Sequence, residues 1–135
     1  MTTPAENLAT IKNIYEAFGR GDVEAIAGAV DDDVDWATEA AGTGAPWWGV
    51  RRGKDGVRQF FDDFGKTMEP QEFVPVSLAA AGDNVLTVVR FAGRSRETGK
   101  TARMDLHHYF RFRDGKVAYY RGTEDTAQTI ATLTS

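Results

Sequence analysis

Apolar residues recur at two different spacings along this chain, and the change between them separates a helical part from a strand-rich part. Up to about residue 68 they recur every three or four residues, as on one face of a helix. The predicted helices cover about 4–19, 23–30 and 54–68. A short alternating segment over 34–38 predicts a strand, and a loop rich in Gly and Ala extends from it to about residue 53.

Beyond residue 68 apolar and polar residues alternate, which is typical of strands with one buried face. The predicted strands cover about 72–80, 84–96, 101–113 and 116–123. The segments between them contain Gly with Asp, Asn or Thr, the composition of tight hairpin turns, so we expect a largely antiparallel sheet. A last helix is predicted over about 125–133, with Asp125 as its N-cap.

Helices that come first and strands that follow predict an α+β fold, formed by a single domain over residues 1–135. The helices are expected to pack on the concave face of a curved, mixed but mainly antiparallel sheet. Such a sheet leaves a cone-shaped cavity between its concave face and the helices. Cavities of this kind are the default places for ligands in proteins.

Composition excludes several kinds of function. The chain has no cysteine, which removes disulfides, thiolate nucleophiles and zinc sites of the cysteine type. His107 and His108 are adjacent and point to opposite faces of a strand, so we expect no metal site. Asp31, Asp32 and Asp33 lack the spacing of a calcium loop and are expected to form a solvated connection.

Charge and hydropathy limit the partners and the location. A net charge of −4 argues against nucleic acid, because binding to phosphates needs a clustered basic surface. No apolar run approaches the ~20 residues of a membrane span, and the first residues lack the pattern of a signal peptide. We therefore expect a cytoplasmic protein that binds neither nucleic acid nor membrane.

His108 is the most distinctive candidate for chemistry. Strand alternation places it on the same face as Leu106 and Phe110, which must point into the interior. A buried imidazole needs a hydrogen-bond partner, and its ordinary pKa near neutrality suits it to proton transfer. Two interpretations stay open, a functional histidine in a cavity and a core histidine with a local partner. On the last strand the same alternation groups Ala118, Tyr120, Gly122 and Glu124.

Three segments carry a resemblance to a known family. They are 14–22 (IYEAFGRGD, with Asp32 and Asp33 downstream), 53–61 (GKDGVRQFF) and 108–117 (HYFRFRDGKV, followed by DTA at 125–127). With the order of elements, they resemble the nuclear-transport-factor-2-like (NTF2-like) superfamily, specifically its SnoaL-like polyketide cyclase branch, related to ketosteroid isomerase and limonene epoxide hydrolase. The resemblance implies a cystatin-like α+β barrel, chemistry without a cofactor, and a homodimer formed through the sheet.

The catalytic acids of these relatives are missing here. The position that matches the general base of ketosteroid isomerases holds Thr38, and the position that matches the acid of SnoaL-like cyclases holds Gly122. The position of the isomerases' tyrosine holds Ile14. Tyr15 lies one place along, which rotates it by ~100° on a helix, and we expect it to be a weak substitute.

Two hypotheses about function remain. In the first, the domain binds an apolar or aromatic small molecule and transfers a proton next to a carbonyl, as a cyclase, isomerase or dehydratase does, with His108, Tyr120 and Glu124 as catalytic residues. The residues expected to contact the ligand are Trp36, Thr38, Phe61, Leu106 and Phe110. In the second, it is a non-catalytic ligand-binding or dimerisation domain.

For Trp47 and Trp48, in the Gly-rich loop, two interpretations stay open as well. The loop either forms a lid over the cavity or packs on the core or on a dimer partner.

Overall fold

Four helices and six strands make up the part of the chain that the computed structural model describes, residues 2–135. The helices are α1 (Pro4–Gly19), α2 (Val23–Gly28), α3 (Gly53–Thr67) and α4 (Thr126–Leu133). The strands are β1 (Val30–Thr38), β2 (Gly49–Arg52), β3 (Met68–Ala81), β4 (Asn84–Ser95), β5 (Thr101–Arg113) and β6 (Lys116–Thr123). None of the helices in this range is long and apolar enough to cross a membrane.

Local capping fixes where two of the helices begin. At the start of α1, the Thr3 hydroxyl accepts a hydrogen bond from the Glu6 N–H, while the Glu6 carboxylate accepts one from the Thr3 N–H. Asp125 caps α4, because its carboxylate accepts a hydrogen bond of 3.1 Å from the Gln128 N–H. The predicted bounds of α1 and the predicted role of Asp125 are therefore confirmed.

The six strands form one curved sheet in the order β2-β1-β6-β5-β4-β3. The β1–β6 pair is parallel and all other neighbours are antiparallel. In the β5–β6 turn, Asp114 and Gly115 both have positive φ, 51° and 80°, as a two-residue hairpin requires. The predicted α+β class and the mixed, mainly antiparallel sheet are confirmed.

The structure corrects the prediction in the segments around β1. This strand begins at Val30, which pairs with Val117, so the predicted second helix is too long and Asp31–Asp33 belong to a strand rather than a solvated connection. Arg113 donates to the Asp31 carboxylate at 2.6 Å. The strand pairs with β6 at Val30 and again at residues 35–38, and it passes between them through residues whose charges conceal its periodicity.

Two further strand boundaries differ from the prediction. The edge strand β2 lies in what was expected to be a loop, because four residues pairing with β1 are too few to show alternation. Strand β3 begins at Met68 and not at 72, so it follows α3 without a connecting loop.

The core lies between α1, α3 and the concave face of the sheet. Ile11 and Val57, from the two helices, are fully buried, as are Val85 and Val89 from β4. Pairing along β5–β6 shifts by one residue between Tyr119 and Val117, and this bulge lets both Val117 and Tyr120 face the interior. The simple alternation that grouped Ala118 with Tyr120 is therefore wrong at this point.

Candidate functional site

A cavity of about 70 Å³ lies between α1, α3 and the concave face of the sheet. Its lining is mainly aromatic and aliphatic, and it includes every site residue that the sequence predicts. These are Trp36, Thr38, Phe61, Leu106, His108, Phe110, Tyr120 and Glu124. The tertiary structure brings them to one place, while their roles toward a ligand stay predictions.

His108 has a hydrogen-bond partner that sequence reasoning underrated. The Tyr15 hydroxyl, on α1, lies 2.7 Å from His108 Nδ1, and the two rings are stacked with their centroids 5.9 Å apart. Both Ile14 and Tyr15 line the cavity, so the helix presents a wide face to it and a rotation by one residue does not remove Tyr15. Tyr15 thus lies at the cavity, but its hydroxyl is paired with His108, and the expectation that it is a weak substitute for the isomerases' tyrosine stays a prediction. No carboxylate hydrogen-bonds to His108 within residues 2–135.

Burial keeps both members of this pair neutral. It lowers the pKa of His108, which is 9% exposed, to about 3, and the nearby His107 contributes in the same direction. Burial also raises the pKa of Tyr15 well above its usual range, and the nearby Thr87 hydroxyl partly offsets this effect. We assign Tyr15 as the donor to Nδ1, which leaves the imidazole proton on Nε2.

Tyr120 fills the space beside Gly122, where SnoaL-like cyclases carry their acid. A Cβ atom added at Gly122 would collide with the Tyr120 hydroxyl and would lie 3.3 Å from His108 Cδ2. The Tyr120 ring stacks on Trp36 at a centroid distance of 4.0 Å. Burial raises the pKa of the Tyr120 phenol well above its ordinary value, so it stays protonated. A neutral donor thus occupies the space beside Gly122.

Glu124 is the one carboxylate among the described residues that line the cavity. It accepts a hydrogen bond of 2.9 Å from Trp47 Nε1 and another from the Thr129 hydroxyl, on α4. The Trp47 ring in turn meets the Phe64 ring edge to face, with 5.0 Å between centroids. The carboxylate is therefore engaged by the Gly-rich loop and by α4, and not by His108.

Two other buried polar groups near this site have no hydrogen-bond partner. They are the indole N–H of Trp36, a lining residue that is 2% exposed, and the hydroxyl of Thr87. An unpaired buried donor costs about 1–3 kcal/mol, so a ligand that accepts from the Trp36 N–H, which lies in the lining, is favoured; Thr87 is not a lining residue. Within residues 2–135 no group of three or more His, Asp or Glu side chains is arranged to hold a metal ion.

The cavity is small for a ligand. Binding sites for small molecules usually enclose about 300 Å³ or more, and an apolar cavity of about 150 Å³ accommodates benzene. At about 70 Å³, this cavity must widen before an aromatic ring can enter.

The buried His108 predicts a characteristic pH dependence of stability. Between pH 6.5 and the folded pKa of about 3, the unfolded chain binds a proton on His108 that the folded chain does not. The free energy of unfolding should therefore fall by about 2 kcal/mol as pH decreases from 7 to 5, measured by urea denaturation at each pH.

His108→Gln should remove most of this fall, while His107→Gln, at the exposed neighbour, should keep it. An equal pH dependence in both variants would contradict the assignment of the effect to His108.

Comparisons with known proteins identify the family. The family model for the SnoaL-like domain matches residues 11–120. No curated protein matches the chain significantly by sequence. Among solved structures, an NTF2-like protein of unknown function from Burkholderia pseudomallei is 24% identical, with a TM-score of 0.89 over 100% of both chains.

Two further solved structures share the fold. TerC, co-crystallised with polyporic acid, is 23% identical, with a TM-score of 0.84 over 96% of this chain and 99% of its own. A polyketide-cyclase-like protein from Xanthomonas campestris is 19% identical, with a TM-score of 0.80 over 98% and 100%. Identities this low establish the fold alone. Together with the family match, they show that the chain belongs to the SnoaL-like domain family and has the fold of NTF2-like proteins.

Proposed function

We propose that this domain binds a small apolar or aromatic molecule with a carbonyl group in the cavity, without a cofactor. The observation that carries the proposal is the pair of neutral donors, His108 Nε2 and the Tyr120 hydroxyl, within a lining that is mainly aromatic and aliphatic. A carbonyl oxygen accepts hydrogen bonds and carries no charge that burial would penalise. An anionic ligand would find no positive charge here, since His108 stays neutral.

Two of the similar structures support a small organic ligand. TerC was crystallised with polyporic acid, and the Xanthomonas protein is described as similar to polyketide cyclases. For this chain, a ligand of comparable character would place its rings against Trp36 and Phe61, with its oxygen toward His108.

The carbonyl preference can be tested with acetophenone and 2-phenylpropene, which have the same shape but differ in one oxygen. We expect acetophenone to bind about tenfold more tightly, because one hydrogen bond in a dry cavity is worth about 1.4 kcal/mol. Titrations followed by ¹H–¹⁵N NMR measure both affinities.

His108→Phe should abolish that difference, and His107→Phe, on the opposite face of β5, should retain it. Equal affinity of the wild-type protein for both compounds, or binding of neither, would refute the proposed function.

Proton transfer next to the carbonyl is a second candidate function, and one observation favours it. The Glu124 carboxylate lines the same cavity as the two donors. It would take a proton from the carbon next to the carbonyl, breaking a C–H bond and forming an O–H bond on the carboxylate. His108 and Tyr120 would stabilise the negative charge on the enolate oxygen, and the proton would then return to carbon.

Deuterium exchange distinguishes catalysis from binding alone. If Glu124 acts as the base, the methyl protons of acetophenone should exchange in D₂O faster with the protein than without it. Glu124→Gln should then reduce the enzyme-dependent rate at least tenfold, as followed by ¹H NMR. No acceleration by the wild-type protein would leave ligand binding as the function.

The predicted homodimer would form through the outer face of the sheet. This face exposes apolar side chains, since Val74 is 46% and Leu86 51% exposed, and Leu86 pairs with Tyr109 on β5. Leu86→Glu should shift the molecular mass in sedimentation toward that of a monomer, while Ile130→Glu, equally exposed on α4, should not. A monomeric wild-type protein would refute the dimer.

The cytoplasmic location stays a prediction.

A further inference from the structure

Trp47 differs from almost every other residue that lines the cavity. The other lining residues lie in helices or strands, with the exception of Glu124, which directly follows β6. Trp47 lies in residues 39–48, the irregular connection between β1 and β2. The cavity must widen before an aromatic ligand enters. Because Trp47 lies outside the regular helices and strands, its displacement should cost less free energy than that of the other lining residues.

The Trp47 indole also separates two cavities. A second cavity of about 30 Å³ lies beyond it, toward β4 and α4. Four residues line both cavities, Trp47, Phe64, Leu106 and Glu124. Displacement of the indole would join the two spaces and add the volume of the ring itself.

The connection that carries Trp47 is anchored at its start, where the Glu39 N–H donates to the Gly122 carbonyl, and Ala45, Trp47 and Trp48 are buried in the core. Around Trp47 itself, two side-chain hydrogen bonds hold it to the rest of the domain. Arg51 donates to the Pro46 carbonyl at 2.7 Å, and Trp47 donates to Glu124. Gly42 and Gly49 have φ of 87° and 101°, so the backbone on both sides of Trp47 adopts conformations that only glycine reaches without strain.

The unpaired indole N–H of Trp48 destabilises the buried conformation of residues 39–48. The Trp48 ring is 6% exposed and its indole N–H is buried without a partner, whereas the N–H of the equally buried Trp47 is paired with a carboxylate. The unpaired donor regains hydrogen bonds to water when the segment lifts, which favours opening.

We propose that residues 40–48 form a lid whose Trp47 indole occupies the place of the ligand, so that a ligand enters by displacing this ring and takes over its hydrogen bond to Glu124. The inference rests on the proposed binding of a ligand in this cavity. It adds a chemical feature to that ligand, an O–H or N–H group that donates to the Glu124 carboxylate.

The first test follows the three indole N–H signals of the wild-type protein by ¹H–¹⁵N NMR, assigned through single Trp→Phe variants. The probe is 2-naphthol, and 2-methylnaphthalene, which lacks the donor, is its control. We expect 2-naphthol to accelerate the solvent exchange of the Trp47 N–H at least tenfold and to bind at least tenfold more tightly than 2-methylnaphthalene. Glu124→Leu should remove that preference.

Matched variants at the two tryptophans provide the second test. Trp47→Phe loses the hydrogen bond that holds the lid closed, so a larger fraction of molecules is open and 2-naphthol should bind at least tenfold more tightly than to wild type. Trp48→Phe removes only the unpaired donor and should bind 2-naphthol no more tightly than wild type does. Both changes retain an aromatic ring, which limits the effect on folding.

The lid proposal would be wrong if 2-naphthol bound neither the wild type nor Trp47→Phe. It would also be wrong if 2-naphthol bound while the Trp47 N–H stayed protected from solvent exchange. Equal tightening of 2-naphthol binding by Trp47→Phe and Trp48→Phe would contradict it as well. Failure of the proposed function has a different signature. In that case 2-naphthol displaces Trp47 as expected, but acetophenone shows no His108-dependent advantage over 2-phenylpropene.

Discussion

The chemistry of this protein depends on an imidazole buried where a positive charge is not solvated. His108 lies in an apolar row of β5, and its burial lowers its pKa far enough to keep the ring neutral near pH 7. The Tyr15 hydroxyl pairs with Nδ1, so one hydrogen bond links α1 to the centre of the sheet. A neutral His108 can donate to a ligand oxygen, but it is a poor base.

The same interior explains why a glycine in the lining leaves no empty space. Gly122 has no side chain, and the Tyr120 hydroxyl occupies the space beside it. The ring of Tyr120 is stacked on Trp36 and cannot move without disturbing the core. The residues that line the cavity therefore also form the packed core, which is why the cavity is small.

Much of the fold could be predicted because its signals are local. The capping box at Thr3, the N-cap at Asp125 and the turn at Asp114 each depend on neighbours in sequence. The edge strand β2 could not be predicted, because its four residues become a strand only by pairing with β1. Likewise, no local sequence pattern indicates the bulge in β6 that turns both Val117 and Tyr120 inward.

The sequence by itself determined the fold class, the inward face of β5 and eight of the seventeen residues that line the cavity. Periodicity specifies which face of an element is buried, and that was sufficient for His108 and Phe110. Only the tertiary structure decided the partners. Tyr15 reaches His108 because α1 packs on the concave face of the sheet, and Glu124 pairs with Trp47 because a Gly-rich connection folds back over the cavity. Such contacts join residues that are distant in sequence, and no pattern along the chain encodes their distances.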